Sequence, residues 1–108
     1  ASSELMTALI PVADDMDRAF TEFKKSENEN LIKGFELIYN KLNDTLKANG
    51  LTEIIVNKGD VFDSEKHEAI TQIKATDKKM VGKVVDVIET GYSLGEKILR
   101  YPKVVVAN

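Results

Sequence analysis

The chain has no cysteine and no tryptophan, a single histidine and only two prolines in its 108 residues. Without cysteine there is no disulfide and no thiolate metal site, although that absence alone fixes no compartment. One imidazole falls short of the three protein ligands that catalytic zinc usually takes. No run nears the roughly 20 apolar residues of a membrane span, and the amino end lacks a basic and then apolar signal segment. The expectation is a soluble, intracellular protein. Positive charge is also in short supply, with 15 basic against 18 acidic side chains and a formal net charge of −3. Neutralising phosphates needs a net basic face, and no aromatics interleave the bases here, so nucleic acid is not an expected partner.

What is present is 43% hydrophobic and 31% charged, enough for one ordinary domain or two small units sharing an interface. Residues 1–50 hold nine acids and six bases, whereas residues 51–108 hold nine of each, so the first half carries the whole net charge. Leu5, Leu9, Val12, Met16, Ala19 and Phe23 follow a 4-3-4-3-4 spacing, an apolar seam along one helix suited to a bundle or coiled coil. Pro11 interrupts it and predicts a kink or restart near Ile10. Lys24 to Asn30 reads as a connection, with Ser26 or Asn28 free to cap a second helix beginning near Asn30. There Leu31, Phe35, Ile38, Leu42 and Thr45 repeat the seam, Ile32, Tyr39 and Leu46 widen it, and Asn49-Gly50 supplies a stop.

From Leu51 the period becomes strand-like. Strands are expected at Glu53 to Val56, Glu68 to Lys74, Lys83 to Thr90 and Lys97 to Val106, with turns at Asn57 to Asp60, at Thr76 to Lys79 and at Gly91. Asp63 is expected to cap one turn at Ser64 to Lys66. The fold class is therefore α+β: a helical region at 1–50, half of a four-helix bundle, then a compact all-β domain of short strands at 51–108. Two helices with broad apolar faces cannot cover each other fully, which favours a homodimer. The competing arrangement packs both helices on the sheet of their own chain.

Candidate chemistry is sparse. His67 would need an orienting partner such as Asp63 or Glu68 to act as an acid or base; the structural alternative ties a ring nitrogen to backbone at a strand start. Asp14, Asp15 and Asp17 fan around a helix and cannot converge on one ion. Gly91 and Gly95 belong to no phosphate-cradling motif. No catalytic residue, cofactor, metal or small-molecule substrate is assigned. Gly34 costs about 1 kcal/mol against alanine in mid-helix, which asks for either a close helix crossing or a partner approaching the backbone there. Lys97, Arg100 and Lys103 either protect a sheet edge or meet a partner's carboxylates.

Several segments in order resemble the GrpE family, nucleotide exchange factors of DnaK-type chaperones. They are Leu9-Ile10-Pro11-Val12-Ala13-Asp14 with Arg18-Ala19, Lys33-Gly34-Phe35-Glu36-Leu37, Leu46 through Ile54, Phe62-Asp63 with His67-Glu68-Ala69, Gly91-Tyr92-Ser93-Leu94, and Leu99-Arg100. The resemblance covers nearly the whole chain and implies a chain lacking the family's long N-terminal helix, a homodimer through Leu5, Leu9, Val12, Met16, Phe23, Leu31, Phe35, Ile38 and Leu42, and a co-chaperone role in protein folding and the stress response. It further implies docking on the ATPase domain of a DnaK-type chaperone through Gly34, Ile88, Gly91, Tyr92, Lys97, Arg100 and Val106, opening the cleft so that ADP leaves. The implied location is the bacterial cytoplasm, or alternatively a mitochondrial or plastid matrix. Where the family has asparagine-glycine-arginine this chain has Gly95-Glu96-Lys97, which keeps the charge and loses the bidentate fork. The function of another class left open is a dimerisation or scaffold module without exchange activity.

Overall fold

The computed structural model describes residues 2–108. Two helices precede six short strands arranged in two sheets, an α+β chain. The chain divides into two compact units, the first ending at Leu51 and the second Thr52–Asn108.

Helix α1 spans Ser3–Phe23, with the Ser2 hydroxyl accepting from the Leu5 amide at its start. It runs through Pro11 as one helix and does not restart at Ile10. Met6 and Ile10 before the proline and Ala13 and Phe20 after it are all buried. Burial on both sides outweighs the single backbone hydrogen bond that the proline removes.

Helix α2 spans Glu29–Ala48 and is capped by Asn28, whose side-chain oxygen accepts the Leu31 amide at 3.1 Å. It ends at Gly50, whose φ of 96° needs a residue without Cβ. The helices meet through aromatic rings: Phe20 lies 5.9 Å from Phe35 and 5.1 Å from Tyr39, and Phe23 lies 4.9 Å from Phe35. Tyr39 adds a hydroxyl hydrogen bond to the Asp17 carboxylate.

From Leu51 onward, strands β1 (Leu51–Ile54), β4 (Gly91–Leu94) and β5 (Lys97–Arg100) form one sheet in the order β1-β4-β5. Strands β2 (Glu68–Ile73), β3 (Val84–Glu89) and β6 (Lys103–Ala107) form the other, in the order β2-β6-β3. There β6 runs parallel to β2 and antiparallel to β3. Val84, Val104 and Val106 form its buried core, with Val56, Phe62 and Val87 packed against them.

Two expectations are corrected. The single strand over Lys97 to Val106 is two strands in different sheets, parted at Tyr101-Pro102. Proline has no amide for a ladder, and Pro102 is buried at the crossing. Gly91 is no turn but the first, buried residue of β4. A Cβ added there would overlap the ring and nitrogen of Pro102, so the glycine serves close packing between chain segments.

Candidate partner-docking surface

Strands β4 and β5 form an antiparallel hairpin around Gly95, whose φ of 60° closes the turn. Its register sets Tyr92 opposite Arg100 and Leu94 opposite Lys97. Ile88 on β3 is 54% exposed, Lys97 is exposed and Tyr92 is half-buried. Ile88, Tyr92 and Lys97 thus put an aliphatic, an aromatic and a cationic group on or partly on the surface of one unit.

Arg100 is tied into its own chain. Its Nε and Nη2 groups donate to the Thr90 carbonyl at 2.8 and 2.6 Å, and Nη1 lies 3.1 Å from the Glu89 carboxylate. The guanidinium also lies 5.5 Å from the centre of the Tyr92 ring. Lys103 reaches the other Glu89 oxygen at 3.1 Å, so one carboxylate is shared by two cations. With only 19% of its side chain exposed, Arg100 joins the β3–β4 connection to β5. A planar fork suits this geometry, because two N–H groups can converge on one carbonyl while a third meets the acid.

Val106 is 7% exposed and belongs to the core beside Val84 and Val104, so its side chain is not on the surface. Gly91 is likewise buried, against Pro102. Gly34 lies on the exposed side of α2, where an added Cβ meets nothing within 4 Å. That removes a close crossing within the chain as the reason for a glycine at this position.

Glu89, Thr90 and Lys103 complete the Arg100 network, yet their part in it has no local sequence signal. Strand periodicity places residues on faces, whereas these contacts join separate strands. An open cleft of about 420 Å³ lies among His67, Glu68, Leu99, Arg100 and Tyr101. Glu89, shared by Arg100 and Lys103, and Glu68 in the lining set two carboxylates against the two cations at this place, which leaves the cleft without a strong anion-binding character. His67 does not meet a carboxylate through Nδ1: that nitrogen accepts the Asp63 amide at 3.1 Å, and the His67 amide donates to the Asp63 carbonyl at 2.8 Å. The Asp63 side chain accepts the Glu65 amide at 2.9 Å, holding the turn in front of the histidine. This is the structural alternative expected for His67. No group of three or more metal-ligating side chains occurs among the described residues.

On the helices, the buried stripe of α1 is Met6, Ile10, Ala13 and Phe20, one residue round from the expected seam. Of that seam, Leu5 and Val12 on α1 and Leu31 and Ile38 on α2 are exposed in the single chain. Leu9, Met16, Phe23, Phe35 and Leu42 are half-buried. No described helix is long and apolar enough to cross a membrane.

Comparison with known proteins agrees with this arrangement of segments. The family model described as GrpE matches residues 1–108. A protein named Protein GrpE from Bacteroides fragilis is 41% identical over 100 residues, which cover 92% of this chain and 51% of the relative. Protein GrpE of Pseudothermotoga lettingae is 38% identical over 108 residues, covering 99% of this chain and 60% of that protein. The chain thus spans about half the length of the Bacteroides relative and somewhat more of the Pseudothermotoga one. By both the family model and these relatives, the chain belongs to the GrpE family.

Proposed function

We propose that this chain is a non-enzymatic nucleotide exchange factor that docks on the ATPase domain of a DnaK-type chaperone, opens its cleft and speeds ADP release. The observation that carries the reading is family membership over the full chain, joined to exposed Ile88 and Lys97 and half-buried Tyr92 on the second unit, with the Arg100 guanidinium against the Tyr92 ring. In this reading residues 51–108 dock, and Ile88, Tyr92 and Lys97 make the contact. Gly34 marks a second contact, where the absence of a side chain leaves the helix backbone open to a partner. Arg100 supports the surface from behind, and Gly91 and Val106 shape it from inside.

Residues 1–50 supply the dimer. Leu5, Val12, Leu31 and Ile38 are large apolar side chains exposed in one chain, and a two-fold pairing of helical hairpins would cover such a stripe. The bacterial cytoplasm is the proposed location, as the Bacteroides and Pseudothermotoga relatives are bacterial.

The mechanism is thermodynamic linkage. A factor that binds the open ATPase domain better than the closed one must weaken ADP, and ADP must weaken the factor by the same ratio. A hundredfold effect requires about 2.7 kcal/mol of differential contact, within reach of a few well-packed interface residues. The test is the chain's affinity for a DnaK-type ATPase domain, measured by calorimetry with and without saturating ADP. Much weaker binding in ADP supports the reading. Equal affinities in both states would overturn it, since a factor without preference cannot shift the cleft.

A further inference from the structure

Strand β2 is an exposed sheet edge in the second unit, regular except for a register shift against β6 between Ala69 and Thr71. It lies at the margin of the order β2-β6-β3, and all six of its residues are exposed. Ile70 and Ile73 show 47% and 49% of their surface. The hydrogen bonds that anchor it all run to the side of β6: the Glu68 amide to the Pro102 carbonyl, and the Asn108 amide to the Ile73 carbonyl. The opposite margin of the sheet is different. There the backbone of residues 59–61 covers the start of β3, with Gly59 donating to Val84, Val84 donating to Asp60, and Val61 bridging Lys83. Strand β3 also carries Asp86 and Glu89 within its length, charges of the kind that discourage edge pairing. The interior of β2, Ala69-Ile70-Thr71-Gln72-Ile73, holds no charge and no proline.

The charges that flank this interior are of opposite sign, Glu68 at its start and Lys74 just beyond its end. A second copy of the strand laid antiparallel about a two-fold axis at Thr71 sets Glu68 against Lys74 of the other copy at both ends. Thr71 then faces Thr71 and Ala69 faces Ile73, with the irregularity of β2 falling at Ile70. Slipping the register separates both ion pairs, and a parallel arrangement in register sets like charges together.

We propose that β2 is a self-association edge, at which two copies of this chain pair antiparallel about Thr71. The pairing would satisfy outward backbone groups of β2 and cover Ile70 and Ile73 on each copy. It is separate from the helical apolar stripe and does not depend on chaperone docking. An exposed six-residue edge with surface ion pairs makes a weak contact, which suits assembly at high local concentration.

Because the chain has no cysteine, a single introduced thiol reports the register directly. Opposed residues in an antiparallel pair have Cα atoms about 4.5–5.5 Å apart, within disulfide reach. Under mild oxidation Thr71→Cys should give a covalent dimer at least about tenfold faster than Thr76→Cys, whose two copies would lie on the order of 30 Å apart in this register. Glu68→Lys should slow the Thr71→Cys reaction by about tenfold, and adding Lys74→Glu should restore it. Equal rates at residues 71 and 76, or no rescue by the double charge reversal, would overturn the proposal. Circular dichroism of each variant confirms that the fold is retained.

Discussion

The Arg100 guanidinium holds the Thr90 carbonyl through two N–H groups, Nη2 at 2.6 Å and Nε at 2.8 Å. Thr90 links β3 to β4, so this contact fastens the start of the hairpin strand to β5. Arg100→Lys preserves the charge but offers no planar fork. It should destabilise the second unit by about 1–3 kcal/mol, seen as a lower urea midpoint. An unchanged midpoint would mean that the clamp is incidental.

Gly91 and Pro102 present a coupled pair. Gly91→Ala should cost about 1–3 kcal/mol, because a methyl group enters space held by the proline ring and nitrogen. Combining it with Pro102→Ala removes the ring half of the overlap, so the double variant should lose less than the sum of the singles. Strict additivity in a denaturant series would contradict the packing explanation.

Helix α1 carries Pro11 in its interior, at a place where the chain stays helical. Pro11→Ala restores a donor and removes a ring clash, and should raise the stability of the helical unit by up to about 3 kcal/mol. A thermal midpoint that falls would show that the proline is favoured by its surroundings.

These residues also show what could be read before the structure. The two helices were legible because their apolar spacing, the Asn28 cap and the Gly50 stop all agree, and the change to strand-like spacing after Leu51 marked the second unit. The continuity through Pro11 was not, because local propensity opposes it and only burial on both sides decides it. The choice between adjacent apolar stripes on α1 was hidden for a similar reason: Leu5 and Met6, or Leu9 and Ile10, are equally apolar, and only the neighbouring structure selects which is buried. In the β region the run from Lys97 to Val106 is rich in β-branched residues, and its break at Pro102 becomes evident once Gly91 is seen against that ring. Of the candidate docking residues, Ile88 and Lys97 are exposed. Val106 fell in the core because alternation on β6 gives way to a run that is buried on both faces.

On the helices, Ile38 is 61% exposed in the single chain. If two hairpins form a four-helix bundle across this stripe, Ile38→Asp places a charge in the buried seam and should convert a dimer to monomers in sedimentation equilibrium. A variant that sediments as the parent does would remove Ile38 from any interface.

The central claim is exchange, and stopped-flow release of a fluorescent ADP analogue from a DnaK-type ATPase domain tests it most directly. The chain should accelerate release in a saturable way, and Lys97→Glu should abolish most of that acceleration while leaving the circular dichroism spectrum and oligomeric state unchanged. No acceleration by the folded chain, with an ATPase domain from the same source, would contradict the account and favour a scaffold module that only dimerises.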